Sequence, residues 1–224
     1  MKAAFFDVDG TLTETRVWNG LMDYFQIHRK RVLVNITFQV FHYFLYFLYR
    51  IHLVSQVGFR ETWAKNLSWY LKGFTVDQAE QIWTWVVEER ISGQWREEIV
   101  SRLQAHKAAG EAVFLVSGGP EGLLKKIAGE VGADYAVGTK HLIANGVYTG
   151  QAPAEACQGT NKVRLVRRVI AEQGLEIDFD ESCAYADSVG DLDLLEMVGH
   201  PVAVFPDEQL APIARDRGWE IIAG

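Results

Sequence analysis

The sequence predicts an α/β fold, a parallel sheet core with an all-helical cap inserted after the first strand, and three observations predict it. Residues 2–6 are a short apolar run stopped by Asp7 and Gly10, as expected of a buried strand feeding a loop. From about Gln94 onward, strand-length apolar runs alternate with helical periods, which argues for parallel strands covered on both faces. Between them, Glu14 to about Arg90 lacks proline, carries most of the tryptophans and tyrosines, and reads as consecutive helices. The expected division is therefore 1–13 and 91–224 for the sheet core and 14–90 for the cap. A chain of 224 residues is long enough for both.

The elements follow in order. Trp95 to Ala109 is helical in period and Gly110 ends it. Ala112 to Val116 is strand-like, and Gly118-Gly119-Pro120 breaks it before a helix from Glu121 to Val131. A short strand is expected near Tyr135-Ala136-Val137. Leu142 to Tyr148 reads as a hairpin, because Asn145-Gly146 suits the positive φ angles of a tight turn. Asn161 to Gln173 is a basic helix, Cys183 to Ala186 a strand, Leu192 to Val198 a helix, and Val202 to Phe205 the last strand.

Composition narrows the function. Hydrophobic residues make up 49% and charged residues 23%, which is globular. The formal charge of −7 (22 − 29) discourages broad nucleic-acid binding, so no nucleic-acid partner is expected. Cys157 and Cys183 form no disulfide framework or zinc cluster, and the N-terminal apolar run is too short for a signal peptide. The expected location is cytoplasmic. His42, His106 and His141 show no metal-like grouping and read as surface or packing residues.

The chemistry-bearing residues sit where a parallel sheet binds ligands, just past strand ends. Asp7-Val8-Asp9-Gly10-Thr11 offers two carboxylates on one loop. One can accept a phosphoryl group, and the other can protonate the leaving oxygen and later deprotonate water. Gly10 permits a tight exit. Ser117-Gly118-Gly119, a hydroxyl with free amides ahead of a helix, suits a phosphate. Lys162 can neutralise phosphate charge and keep the nucleophile ionised. Asp187 and Asp191, four apart across a turn, supply hard oxygen ligands for Mg²⁺. Four carboxylates around one phosphate repel by about 4 kcal/mol per close pair at moderate dielectric, so a divalent cation and the lysine are both required.

This ordered set, from Asp7-Val8-Asp9-Gly10-Thr11 through Val116-Ser117-Gly118-Gly119 and Lys162 to Ala186-Asp187-Ser188-Val189-Gly190-Asp191, resembles the haloacid dehalogenase superfamily. It is most similar to the branch that includes phosphoserine phosphatase. The resemblance implies a Rossmann-like core and a Mg²⁺-dependent phosphomonoester hydrolase working through an aspartyl-phosphate. It makes Asp7 nucleophile and metal ligand, and Asp9 acid/base catalyst with its carbonyl on the metal. Ser117, Gly118 and Lys162 hold phosphate, and Asp187 and Asp191 form the metal shell. One departure is Gly190, where phosphoserine phosphatases usually carry Asn; Ser188 is the candidate replacement. A phosphomutase, returning the phosphoryl group to substrate, is the alternative with the same chemistry.

Phosphoserine itself is expected to be a poor substrate. Where those enzymes grip the ammonium with Glu and the carboxylate with a cap Arg, this chain places Arg16 and Leu67. The tail from Gly199-His200-Pro201 to Trp219 also resembles a subgroup containing bacterial phosphatases of the lipid phosphatidylglycerophosphate. Val32 to Tyr49 carries no charged residue and follows Arg29-Lys30-Arg31. A buried cap helix is the default for 32–54, since Asn35, Thr37, Gln39 and His42 argue against a membrane span. The alternative is peripheral contact with the inner face of a membrane, through Phe38, Phe41, Phe44, Leu45 and Leu48 with Tyr43, Tyr46 and Tyr49. The substrate is accordingly a small-molecule or lipid phosphomonoester.

Overall fold

The structure is a computed structural model and describes residues 1–223. Six parallel strands form one sheet: β1 (Ala3–Phe6), β2 (Ala112–Pro120), β3 (Tyr135–Thr139), β6 (Cys183–Ala186), β7 (His200–Val204) and β8 (Glu220–Ile222). Their order is β3-β2-β1-β6-β7-β8, so β1 lies at the centre, in register with β2 (Phe6 opposite Leu115) and β6 (Phe6 opposite Tyr185). The period of two sorts β1 between two cores. Ala4 and Phe6 pack with Leu115 and Tyr185 on one face, and Ala3 and Phe5 pack with Phe114 and Ala184 on the other. A separate hairpin pairs β4 (Ile143–Ala144) with β5 (Val147–Tyr148) across Asn145 and Gly146, at φ 52° and 75°. This is the positive-φ turn read from the sequence.

Between β1 and β2 the chain is helical. It runs α1 (Val17–Ile27), α2 (Val32–Arg50), α3 (Gln56–Asn66), α4 (Ser68–Leu71), α5 (Val76–Val86), a π-helical turn at Val87–Ile91, and α6 (Glu97–Ala108). Ser55 caps α3, and Thr75 with Gln78 forms a reciprocal capping box on α5. The outgoing and returning chains touch: Glu14 N–H donates to the Gln94 carbonyl and Arg96 N–H to that of Leu12. The first core runs without a break from the sheet into these helices, through Val17, Leu21, Phe25, Trp83 and Val86. The remaining helices are α7 (Glu121–Val131), α8 (Thr160–Glu172), α9 (Leu192–Glu196) and α10 (Leu210–Asp216).

Four expectations need correction. The second strand does not stop at Val116 but continues to Pro120, with a register shift against β3 between those residues. Irregular pairing through Gly118-Gly119 therefore lengthens the strand instead of ending it. The last strand is β8, not β7. The segment Glu220–Ile222 is too short to show a period, and it pairs with β7 at Val202 to Val204. His106 is neither surface nor plain packing: its Nδ1 meets Glu111 Oε2 at 2.5 Å and its Nε2 the Tyr185 hydroxyl at 2.8 Å.

The fourth correction concerns α2. Only Phe38 and His42 of its residues are buried. His42 sits among Phe38, Trp63 and Trp69, and Asn35 accepts a 2.6 Å hydrogen bond from the Tyr70 hydroxyl. The polar interruptions at Asn35 and His42 thus face the protein. Outward point Leu33 (80% exposed), Val40 (65%), Tyr43 (74%), Phe44 (59%) and Phe47 (56%). The helix is not core, and its outer face is not the one drawn through Phe38. α2 is also long and apolar enough to cross a membrane by length and composition alone.

Candidate active site

Asp7 lies one residue past β1, at the sheet's centre, where its N–H donates to the Tyr185 carbonyl at 2.9 Å. Parallel strands end together here, so the loops after β1, β2 and β6 converge. Lys162, on the third residue of α8, is buried beneath them. Its Nζ donates to Asp7 Oδ1 at 2.6 Å and also pairs with Asp191 Oδ1. Oxygens of Asp7, Asp187 and Asp191 all lie within 4.8 Å of one another. A cavity of about 430 Å³ opens above them, walled on the helical side by aromatic residues including Trp18, Tyr46, Tyr49, Phe59 and Trp63.

Gly10 is what lets these loops close. It sits at φ +91°, and a Cβ there would collide with the Asp187 carboxylate. Asp187 therefore reaches the cluster only because residue 10 has no side chain.

Asp9 is placed differently from the other acids. Its carboxylate accepts from Val17 N–H at 2.6 Å and from the Ser117 hydroxyl at 2.8 Å. Its side chain is outside the three-carboxylate cluster, which leaves the backbone as the route by which Asp9 could serve a cation. Ser117 is fully buried, and its oxygen also accepts from Gly119 N–H at 3.1 Å. Its hydroxyl is thus committed to Asp9, whereas Gly118 lines the cavity. Ser188 donates to Asp191 at 3.3 Å.

The charges explain the titration behaviour. Burial drives the Asp7 carboxyl well above the ordinary carboxylate range; Lys162 opposes this, and Asp191, Asp187 and Asp9 add to it. Burial also raises Asp9, against the hydrogen bonds from Ser117 and Val17. Asp187 is pushed up to about 6 by burial and by Asp191. Burial alone would lower the Lys162 ammonium, but Asp191 and Asp7 outweigh it and raise it instead.

Three clustered carboxylates in contact with one lysine carry an excess of negative charge that either a proton or a further cation relieves. Asp191 Oδ1 is buried and meets the Lys162 ammonium alone. An all-oxygen donor set with more lone pairs than one lysine can engage fits a hard divalent ion such as Mg²⁺.

Several cavity residues escaped sequence reasoning, Gln158 and Arg60 among them. Gln158 projects across Gly118, where a Cβ would overlap it, and Arg60 reaches from α3 to Gly190. Neither belongs to a motif, and no pattern along the chain pairs α3 with the loop after β6.

Comparison with known proteins agrees with this geometry. Residues 4–196 match the family model for haloacid dehalogenase-like hydrolases. The chain is 32% identical over 232 residues to a putative hydrolase of Mycobacterium leprae, covering 98% of this chain and 71% of that one. It is 31% identical to a phosphoserine phosphatase of Mycobacterium tuberculosis, covering 98% and 70%. A crystal structure of a protein of unknown function from Bordetella pertussis superposes with a TM-score of 0.82 at 25% identity, covering 99% and 98%. The chain belongs to the haloacid dehalogenase-like hydrolase family, and within it to the phosphatases of the phosphoserine-phosphatase-like branch.

Proposed function

We propose that the protein hydrolyses phosphomonoesters with Mg²⁺ through an aspartyl-phosphate on Asp7, with residues 14–90 acting as the cap that selects the substrate. The observation that carries this is the 2.6 Å contact of buried Lys162 with Asp7, at the floor of a cavity and inside a cluster of three carboxylates. Asp7, Asp187 and Asp191, with the Asp9 carbonyl, would hold the metal, which supplies charge neutralisation for the transferring group. An Asp7 oxygen attacks phosphorus and the bond to the ester oxygen breaks. That oxygen leaves with a proton from Asp9, whose raised pKa suits it to carry one. Before that transfer, while Asp9 still carries its proton, its hold on Ser117 is weaker, which frees the hydroxyl for a phosphate oxygen beside the Gly118 amide. Water, deprotonated by Asp9, then attacks the same phosphorus and releases phosphate and Asp7. Screening a phosphate-ester library with and without Mg²⁺ tests the reading; full activity of metal-stripped protein would defeat it.

A second reading rests on α2. Its outward face, Leu33, Ile36, Val40, Phe44 and Phe47 at helical spacing, adjoins Arg29, Lys30 and Arg31. An apolar helical face beside a basic triplet suits an anionic membrane surface, at about 1 kcal/mol per charge. Tyr46 and Tyr49 from the same helix line the cavity. The reading is a lipid phosphomonoester taken from a cytoplasmic membrane face.

Phosphoserine is disfavoured by the cavity wall, though not through its carboxylate. Leu67 lines the cavity, yet a carboxylate need not go unpaired, because Arg60 lies in the same wall. What counts against phosphoserine is its ammonium, which would meet Arg16 and Arg60 together.

A further inference from the structure

Gly190 departs from the asparagine usual at its position, and a guanidinium occupies the space. A Cβ on Gly190 would lie 2.5 Å from Nη1 of Arg60 and 3.7 Å from its Cζ. Arg60, half-buried on α3, therefore lies against the loop that carries Asp187 and Asp191. Of the other cations of the helical layer, Lys65 pairs with Glu61, Arg90 with Asp23 and Arg96 with Glu14, and Arg29, Lys30, Arg31, Arg50 and Lys72 lie outside the cavity lining. Arg60 and Arg16 line the cavity with no acidic partner among the described residues. A half-withdrawn guanidinium at the wall of a cavity, with no carboxylate in salt-bridge reach, is a good anion receptor.

We propose that Arg60, assisted by Arg16, forms a subsite for a second anionic group on the substrate. The proposal rests on the phosphatase reading above and deepens it. The preferred substrates are phosphomonoesters that carry a further carboxylate or phosphate on an apolar spacer and no cationic group. Lys162 and the metal site take the transferring phosphate, the aromatic wall takes the spacer, and the arginines take the second charge. Gly190 is a specificity-determining position because a side chain there displaces the Arg60 guanidinium.

The test uses benzyl phosphates that differ only at the para position: carboxylate, the neutral carboxamide, and a second phosphomonoester. Wild-type kcat/KM is expected to favour one of the two anionic compounds over the carboxamide by about 10- to 100-fold, the worth of one charge-assisted contact. Whether the carboxylate or the bisphosphate leads identifies the group. Arg60→Ala should bring that ratio close to one, and Gly190→Ala should do the same with Arg60 still present, because the new methyl overlaps the mobile end of the Arg60 side chain and otherwise meets only Ser188 Oγ, at 3.3 Å. The same ratio is read as Kd by calorimetry in an Asp7→Asn background, so it does not depend on turnover. If every ester is inert with wild type but the Kd ratio holds, hydrolysis is wrong and the subsite stands. A wild-type ratio near one, or a ratio that survives Arg60→Ala, overturns the subsite. Equal losses on all three compounds would also overturn it, since they would mean Arg60 only balances the charge of the acid cluster.

Discussion

At the carboxyl edge of the sheet, Asp7, Lys162 and Asp191 are buried and paired beneath apolar strands, whereas on α2 Asn35 and His42 turn inward and Leu33, Val40, Phe44 and Phe47 face out. One region hides charge and the other exposes hydrocarbon, and each arrangement is costly unless something else completes it. At the sheet the completing partners are visible, since Lys162 meets two of the carboxylates and the donor set suits a divalent cation. Around α2 no completing partner is visible among the described residues. The contrast separates chemistry, built from contacts internal to the protein, from selection, which depends on what approaches the helical layer.

The largest expected effect breaks the first half of the comparison. Asp7→Asn keeps the shape of the side chain but cannot attack phosphorus, and kcat should fall by at least about four orders of magnitude. Steady-state turnover above a few per cent of wild type, with deamidation excluded by mass spectrometry, would remove Asp7 from its role. Next in size is Lys162→Ala, which leaves buried carboxylates without their cation. Breaking such a pair costs about 3–5 kcal/mol, so metal-free protein should unfold at markedly lower temperature, and Mg²⁺ should restore part of the loss. An unchanged Tm without metal would show the lysine to be structurally idle.

The pH dependence of the metal-free protein is a smaller effect. Asp187 is raised to about 6 in the folded state, so the fold holds its proton more tightly than the unfolded chain does. Stability from this group is present below the unfolded carboxylate range near pH 4 and is lost as pH rises through about 6. Asp7, raised further, extends the loss upward. The Tm gain from saturating Mg²⁺ should therefore be larger at pH 7 than at pH 5. A gain that is flat or reversed in calorimetry would show that the cluster is not where the ion binds.

The smallest effect on the fold tests the second region. Phe44→Asp with Phe47→Asp alters exposed positions only, so Tm should hardly move, while sedimentation with anionic vesicles should be lost. Wild type remaining in the supernatant with anionic vesicles would end the membrane reading. If it self-associates in sedimentation velocity instead, and the double variant does not, a second copy covers α2.

What the sequence disclosed follows the same divide. Asp7, Asp9, Gly118, Lys162, Asp187 and Asp191 were legible because each sits in a short segment tied to a strand end or helix start, and their order along the chain survives folding. Ser117 was found, but its commitment to Asp9 was not, since a hydrogen bond across two loops leaves no local pattern. Arg60 and Gln158 were invisible for that reason. On α2 the apolar composition was read correctly, but its inner face was set by Asn35 and His42 finding partners on α3 and α4, which periodicity cannot foresee. The short β8 was lost because three residues carry no period.

The position of β1 has a consequence for how the molecule is made. Ala3 to Phe6 is wholly apolar and is made before every other strand of the sheet, yet its second neighbour, β6, begins only at Cys183. Throughout most of synthesis this central strand offers one unpaired edge, a template for other chains. Asp7 at its end likewise waits for Lys162, Asp187 and Asp191, so no truncated chain can assemble the ion cluster. Joining β1 to β6 is a late, long-range step, and it guards against aggregation and assembles the site in the same event. Expression yield and metal affinity should therefore fall together in variants that weaken the β1–β6 seam, even where every charged residue of the site is untouched.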